Sequence, residues 1–248
     1  MLKQFRADLH IHSCLSPCAD LNMTPSRIVI EATSKELSII GICDHNSAEN
    51  LSVTKKVARE KDIHLIAGME VTSSEEVHIL ALFDRIENVM ALQEIVYANL
   101  SDGENDEEAS GYQVVVNEND EILNFNKRLL IGATSLSVQN IVDVIRSLEG
   151  LAIASHIDRE VFGIISQLGF IPDNLKLDAL EISPRIDKDK ALSLFKDYSH
   201  IPWVSFSDAH FLRDIGRRTT SFFIEEPVVA EIVSALKGID GRRIEWGE

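Results

Sequence analysis

The sequence predicts an α/β fold whose mostly parallel strands form a barrel or a doubly wound sheet. Two observations lead to this class. Short apolar runs rich in β-branched residues alternate with longer segments of helical periodicity, the pattern of repeated strand–helix–strand units. The chain also has 248 residues, a length that suits one large α/β domain without disulfide bridges. We therefore expect a single domain over residues 1–248.

The predicted elements alternate regularly along the chain. Strands are expected at residues 5–10, 38–43, 63–70, 76–83, 151–156, 178–183, 202–207 and 219–224. Helices are expected at residues 25–35, 47–61, 86–100, 137–149, 160–169, 188–199 and 227–238. The first helix has a clear start signal, because Thr24 is a capping residue and Pro25 suits the first helical position.

Residues 101–130 interrupt this alternation. The stretch 101–121 is acidic and contains glycine, which predicts a solvated excursion. Within it, the runs VVV and EILNF flank the turn-like sequence NEND, a pattern typical of a β-hairpin. We expect residues 101–130 to be a hairpin-containing insertion on the barrel and not a second domain.

Composition restricts the classes of function. The formal net charge is −16, so duplex nucleic acid is not expected as a partner. No apolar run approaches about 20 residues and the first residues lack the apolar core of a signal peptide, so no membrane association is expected. Three cysteines cannot all pair, which favours a cytoplasmic protein. Families defined by a P-loop, G-x-G-x-x-G or G-x-S-x-G motif receive no support.

The histidines stand at the ends of the predicted strands. Five of the eight directly follow an apolar run and a sixth lies inside one: His10, His12, His45, His156, His210 and His78. Strand ends gather on one face of a parallel α/β barrel, so these side chains are expected to converge. His64 and His200 precede strands and are expected at the opposite end.

The spacing of these residues predicts a polynuclear metal site. His10 and His12 alternate on an extended segment, so both imidazoles can approach one cation. Asp208 and His210 repeat this spacing at a later strand end. Glu70 ends another apolar run, and its two oxygens can bridge two cations. Imidazole and carboxylate ligands leave Zn, Mn and Fe open.

Further polar residues near these strand ends are expected to support the site. Asp8 lies two residues before His10 and Asp44 directly precedes His45, and we expect both carboxylates to orient imidazoles. Arg159 is predicted to hold a phosphate oxygen of the substrate. Arg185 and Arg213 also follow strand ends and are further candidates for substrate binding.

Five motifs together resemble the PHP (polymerase and histidinol phosphatase) family: DLHIHS, ICDHN, GMEVTS, SHIDR and SDAH, spanning residues 8–210. The resemblance implies a distorted (β/α)7 barrel with a two- or three-metal phosphoesterase centre. Carried over motif by motif, the ligands would be His10, His12, His45, Glu70, His78, His156, Asp208 and His210. Relatives usually supply one more ligand where this chain has SPCAD, and there Asp20 is the first candidate and Cys18 the second.

The expected reaction is hydrolysis of a phosphomonoester or phosphodiester by metal-activated water. The expected substrate is a small phosphorylated compound such as a nucleotide or a short oligonucleotide. Two or three divalent ions are expected, with Glu70 bridging two of them and Asp20 on a third. The expected catalytic residues are Glu70, His210 and Arg159.

Three alternatives stay open at this point. The same centre could act on a non-phosphate bond, as in an amidohydrolase-like enzyme. The protein could also be a non-enzymatic metal-binding regulatory module, or a scaffold whose site has decayed.

Overall fold

The computed structural model describes residues 1–247. The strands are β1 (Lys3–Ile11), β2 (Ile39–Ile42), β3 (His64–Thr72), β4 (His78–Phe83), β5 (Val114–Val116), β6 (Ile122–Phe125), β7 (Leu151–Ala154), β8 (Ala179–Glu181), β9 (Trp203–Val204), β10 (Thr220–Ile224) and β11 (Arg243–Trp246). The α-helices are α1 (Pro25–Ser34), α2 (Leu51–Glu60), α3 (Ile86–Asn99), α4 (Glu107–Ser110), α5 (Val138–Ser147), α6 (Ile164–Leu168), α7 (Lys188–Phe195) and α8 (Val229–Leu236). Every predicted strand and helix is present, while α4 and β11 are additional.

Nine strands form one sheet in the order β11-β10-β1-β2-β3-β4-β7-β8-β9. The pairs β1–β2, β2–β3, β7–β8 and β8–β9 are parallel, and the other four are antiparallel. The α/β class is therefore confirmed, but the mostly parallel sheet with seven repeats is not observed. One reason is that residues 73–77 alone connect β3 to β4, too few for the crossover that parallel strands need.

The sheet nearly closes into a barrel at a seam between β1 and residues 205–209, which follow β9. Ile11 forms a parallel bridge with Ala209, and the His12 N–H donates to the Ala209 carbonyl at 2.9 Å. Nearby, the Thr220 hydroxyl bonds both the N–H and the carbonyl of Ser205, each at 3.0 Å. The seam thus relies on isolated bonds instead of a continuous ladder.

Two hydrophobic clusters lie on the two faces of this sheet. One joins strand residues to α1, α2, α3 and α5, and the other joins alternate strand residues, such as Ile66 and Leu80, to α8. Successive side chains on a strand face opposite ways, so Glu70 continues the series of Ile66 and His78 that of Leu80. These two polar side chains therefore belong to the inner face of the barrel.

The predicted hairpin is present within residues 101–130. Strands β5 and β6 form a separate antiparallel pair with Val114 opposite Phe125. The hairpin is attached to the loop after β1, where the Val114 N–H donates to the Cys14 carbonyl at 2.9 Å. Among residues 1–247, every helix is too short or too polar to span a lipid bilayer.

Gly41 marks a close contact between β1 and β2, and Gly41→Ala is expected to destabilise the barrel. A Cβ at this position would lie 2.5 Å from the Leu9 carbonyl oxygen and 2.8 Å from its Cα. These are backbone atoms that cannot rotate away, so we expect a loss of about 1–3 kcal/mol in the free energy of unfolding. Urea denaturation followed by circular dichroism measures this loss, and an unchanged midpoint would contradict it.

Candidate metal centre

The eight side chains matched by motif converge, as predicted, at the carboxyl ends of the parallel strands. All are buried except His210, which is partly exposed. Most of them line a cavity of about 190 Å³, together with Cys18, Ile131, Arg159 and Phe162. His64 begins β3, the strand whose other end carries Glu70, so it lies at the opposite edge as expected.

The first group of potential ligands consists of His10, His12 and Asp208. The two Nε2 atoms of His10 and His12 are 3.1 Å apart, and they lie 3.3 and 3.2 Å from Asp208 Oδ1. Four ligands around an ion with bonds of about 2.1 Å stand about 3.4 Å apart, so this triangle fits the coordination shell of a small cation.

Hydrogen bonds to the outer nitrogens fix the tautomers of His10 and His12. His10 Nδ1 lies 3.0 Å from both oxygens of Glu181, so in the neutral ring this nitrogen carries the proton. The Ser16 hydroxyl donates to Asp44, so it can only accept from His12 Nδ1, 2.9 Å away. In both neutral rings the Nε2 lone pair therefore points toward Asp208, an arrangement that a bound cation would stabilise.

Glu70 stands at the middle of the cluster. Its Oε1 lies 3.1 Å from His78 Nδ1 and 3.3 Å from His156 Nε2. Its Oε2 lies 3.2 Å from His45 Nδ1 and 3.5 Å from His12 Nε2. One carboxylate thus faces imidazoles through both of its oxygens.

Two further groups of three potential ligand atoms lie in the same cluster, and one of them shares His12 with the first group. Within each group the atoms lie within 4.8 Å of one another, and the groups are His45–Glu70–His78 and His12–His45–His210. Three buried atoms that face this cluster lack a hydrogen-bond partner: His45 Nδ1, His78 Nδ1 and Glu70 Oε1. Buried polar atoms are rarely left unpaired, so the lone pairs of these nitrogen and oxygen atoms fit bound cations.

Local backbone irregularities aim these side chains. The β1–β2 register shifts between Asp8 and Ile11, and such bulges re-aim side chains beside active sites. His156 and Asp208 adopt left-handed backbone conformations with φ of 28° and 50°, which are strained for non-glycine residues. His78 is the first residue of β4, yet it reaches the site because β4 runs antiparallel to β3 and pairs His78 with Thr72.

Burial and neighbouring charges set the protonation of the ligands. Burial, with His210 nearby, lowers the pKa of His12 to about 3, and burial with His12 lowers that of His45 well below its ordinary value. Both imidazoles are therefore neutral near pH 7, as metal ligands must be. Burial opposes ionisation of Glu70, but its neighbours His78 and His10 hold its pKa well below the ordinary range.

His10 behaves differently because carboxylates surround it. Burial lowers its pKa, but Glu181, Asp208 and Glu70 together outweigh burial and raise the pKa well above its ordinary value. Without a cation, a proton on His10 therefore supplies the positive charge that the carboxylates require.

Glu181 contacts two of the potential ligands, although the sequence analysis did not select it. It is buried at the end of β8, faces His10 Nδ1 and accepts the His156 N–H at 3.0 Å. The available signal was a lone carboxylate inside the predicted strand 178–183. Asp44 orients His12 through Ser16 as predicted, whereas Asp8 accepts the backbone N–H groups of Ser207 and Gly216 and orients the segment leading to Asp208.

Of the four other predicted site residues, only one lines the cavity. Arg159 lines the cavity and contacts the Asp208 carboxylate. Asp20 lies outside the three groups, because its carboxylate accepts both the N–H and the side-chain amide of Asn22 in a local turn. Arg185 and Arg213 are exposed and do not line this cavity, so the structure places them apart from the ligand cluster.

Comparisons with known proteins agree with this geometry. Residues 8–162 match the family described as PHP domain, and residues 186–238 match the one described as PHP-associated. The uncharacterized protein YqxK of Bacillus subtilis (strain 168) is 24% identical over 98% of this chain and 64% of its own length. The lesion-specific endonuclease PfuEndoQ from Pyrococcus furiosus superposes with a TM-score of 0.75 at 24% identity, over 98% of this chain and 58% of that one.

A further structure corrects one prediction. Endonuclease Q has been solved in complex with a 27-mer duplex substrate that carries an abasic lesion at the active site. It shares the fold at a TM-score of 0.75 and 22% identity, over 97% of this chain and 58% of that one. The expectation that net charge excludes duplex nucleic acid is therefore wrong, because total charge does not describe the local field of a metal-loaded site.

Proposed function

Because this chain belongs to the PHP domain family, we propose that it is a metal-dependent hydrolase of phosphoester bonds. The observation that carries the proposal is the triangle of His10 Nε2, His12 Nε2 and Asp208 Oδ1, with sides of 3.1–3.3 Å. Hydrolysis of phosphate esters is very slow without catalysis, and concentrated cations suit that demand. The chain spans about three fifths of the length of YqxK and PfuEndoQ, so the proposal concerns this chain alone.

Each residue of the cluster receives a role in this proposal. Bound divalent ions would supply a hydroxide near neutral pH and neutralise the phosphoryl oxygens. His10, His12 and Asp208 would hold one ion, and Glu70 would bridge it to a second. The remaining histidines would complete two further coordination shells: His45, His78, His156 and His210. Zn, Mn and Fe all suit these ligands.

Arg159 would act on the substrate and not on the ions. Its side chain contacts Asp208 and is one-quarter exposed, so it borders both the ligands and the open cavity. A guanidinium there can turn from a neutralised Asp208 to a phosphate oxygen and hold it with two hydrogen bonds. The proposed substrates are nucleotides or oligonucleotides.

The proposal is tested by elemental analysis of the purified protein together with phosphate-release and nuclease assays. We expect bound Zn, Mn or Fe and hydrolysis that is lost in His12→Ala along with the metal. His64→Ala, at the other end of the barrel, is the matched control and should keep both. Metal without any phosphoester hydrolysis would instead support an amidohydrolase-like or non-enzymatic role.

Cys18 takes the place of Asp20 as the proposed additional ligand. Cys18 is an exposed residue that lines the same cavity as His45 and His210, whereas the Asp20 carboxylate is engaged by Asn22. Thiolate is a good ligand for Zn and Co and becomes deprotonated when it coordinates them.

Cobalt substitution distinguishes these two candidates. We expect the Co²⁺-loaded protein to show a thiolate-to-metal charge-transfer band that disappears in Cys18→Ser and persists in Asp20→Asn. Cys14→Ser is the control, because Cys14 is buried in a different cavity. A spectrum without the thiolate band in the unmodified protein would exclude Cys18 from the metal site.

A further inference from the structure

A second cavity lies beside the metal centre, between the hairpin and the loop after β1. It encloses about 360 Å³, and its walls are largely apolar. Leu21 and Tyr112 stand at its mouth, half-exposed, and Val114, Ile122 and Phe125 line it from the hairpin. Apolar cavities of this size with a few polar groups are the usual form of a small-molecule site.

Two oxygen atoms give the cavity a hydrogen-bonding character. Thr24 is only 9% exposed, and its hydroxyl has no hydrogen-bond partner. The α1 N-terminus does not use it, since Thr24 makes no side-chain cap. Asp120 also lines the cavity, and it accepts from the backbone and hydroxyl of Ser26 alone. A carboxylate has about four acceptor sites, so it can take further donors from a ligand.

These features select the chemistry of the ligand. The lining holds one carboxylate and no cationic side chain, so it repels a phosphate group and favours a neutral group with N–H donors. The rings of Tyr112 and Phe125 lie 5.7 Å apart at 56° and offer aromatic surface. A flat ring with an exocyclic amino group matches both the aromatic lining and the Asp120 carboxylate, and cytosine and adenine are such rings.

The cavity and the metal centre share no lining residue, but the loop after β1 contributes to both, with Cys14 to the cavity and Cys18 to the metal centre. Cys14 lines the cavity two residues after His12, a span of at most about 7 Å along the chain. Asn50 donates to both Ser13 Oγ and the Val114 carbonyl at 3.0 Å, and its Oδ1 accepts the Val116 N–H at 3.2 Å. The hairpin wall is therefore fixed to the segment that carries the histidine ligands.

We infer that this cavity is a base-binding site for an amino-bearing nucleobase of the substrate. The inference takes its substrate class from the proposed phosphoesterase function, with the phosphate at the metal centre and a base between Tyr112 and Thr24. The apolar hairpin walls would bury the ring, and Asp120 would accept from the exocyclic amino group.

Ligand-observed NMR with free nucleosides tests the inference without any catalytic step. We expect cytidine to bind about tenfold more tightly than uridine, and adenosine more tightly than inosine, because the keto oxygen would face the Asp120 carboxylate. Equal binding within both pairs, or no binding at millimolar concentration, would overturn the inference.

Matched variants locate the binding. Ile122→Arg should abolish nucleoside binding, while Leu123→Arg, at the neighbouring exposed position that does not line the cavity, should leave it unchanged. Thr24→Val removes only the unpaired hydroxyl, so it should weaken cytidine binding several-fold without lowering the melting temperature. Unchanged cytidine binding in Ile122→Arg would place the nucleoside elsewhere and overturn the inference.

An activity assay separates this inference from the proposed function. Ile122→Arg should raise KM for a cytidine nucleotide far more than KM for p-nitrophenyl phosphate, and Leu123→Arg should leave the hydrolysis of both compounds unchanged. If neither compound is hydrolysed but the nucleosides bind as expected, the proposed function fails and the base site stands. If both are hydrolysed and no nucleoside binds, the base site fails and the function stands.

Discussion

Glu70→Gln is expected to remove both metal binding and hydrolysis while the barrel stays folded. The substitution keeps the size of the side chain but replaces a charged, bridging ligand with a neutral amide that carries two donors. Glu70 faces imidazoles through both oxygens, so the amide nitrogen would point a proton at one set of them. Loss of several kcal/mol of charge stabilisation predicts a decrease in kcat/KM of about a hundredfold to ten-thousandfold.

Metal content and kcat/KM are measured on the same Glu70→Gln preparation, with circular dichroism to verify folding. Glu76→Gln is the matched control, because Glu76 is exposed in the turn between β3 and β4. Wild-type metal content and rate in Glu70→Gln would show that this carboxylate does not hold the ions.

Glu181→Gln is expected to weaken metal binding although this residue is not a proposed ligand. The Glu181 carboxylate accepts hydrogen bonds from His10 Nδ1 and from the His156 N–H. A glutamine amide has only one acceptor oxygen and no negative charge, so it would hold both groups less strongly. Groups that orient a ligating histidine are commonly worth about 10- to 100-fold in metal affinity. Competition with a chelator measures the change, and Glu226→Gln on the surface is the control.

The number of protons released on metal binding distinguishes loss of the Glu181 charge from a simple loss of packing, because packing alone would not change it. The carboxylates hold the pKa of His10 well above its ordinary value, so the metal-free site carries a proton that a cation must displace. Metal affinity should therefore increase with pH, and His10 should release about one proton when the ion that it holds is bound. Conversely, the stability that protonated His10 adds to the metal-free protein is lost as pH rises through that raised pKa.

Replacing Glu181 lowers the pKa of His10, so fewer protons should be released on metal binding. Calorimetry in two buffers of different ionisation enthalpy measures this number. Equal proton release by the wild type and Glu181→Gln would contradict the proposed coupling.

Strand-end histidines were predictable because parallel strands deliver their carboxyl ends to one edge, and residue spacing shows which side chains share a side. His10, His12 and Glu70 follow from this rule. Strand direction was harder to predict, since the reversal of β4 depends on the short connection at residues 73–77. His78 therefore reaches the site because β4 is antiparallel, and the periodicity of the sequence does not show strand direction.

Side-chain partners were the least predictable part. The Asp20 carboxylate accepts a hydrogen bond from Asn22 in a local turn. Residue spacing alone does not show whether such a carboxylate makes a local hydrogen bond or binds a metal. Glu181 is separated from His10 by 171 positions in sequence, and only the closed sheet brings the two together. The missed strand β11 is short and charged, and its pairing with β10 comes from the edge of the finished sheet.

The seam of the barrel gives the ligands a mechanical role. His10 and His12 belong to the start of the chain and Asp208 to its last third, and between them the main chain contributes only scattered bonds. An ion bound by His10, His12 and Asp208 would cross-link β1 to the segment after β9. Amide hydrogen exchange at His12 and Ala209 would then slow markedly on metal loading, so the same cations would keep the protein closed.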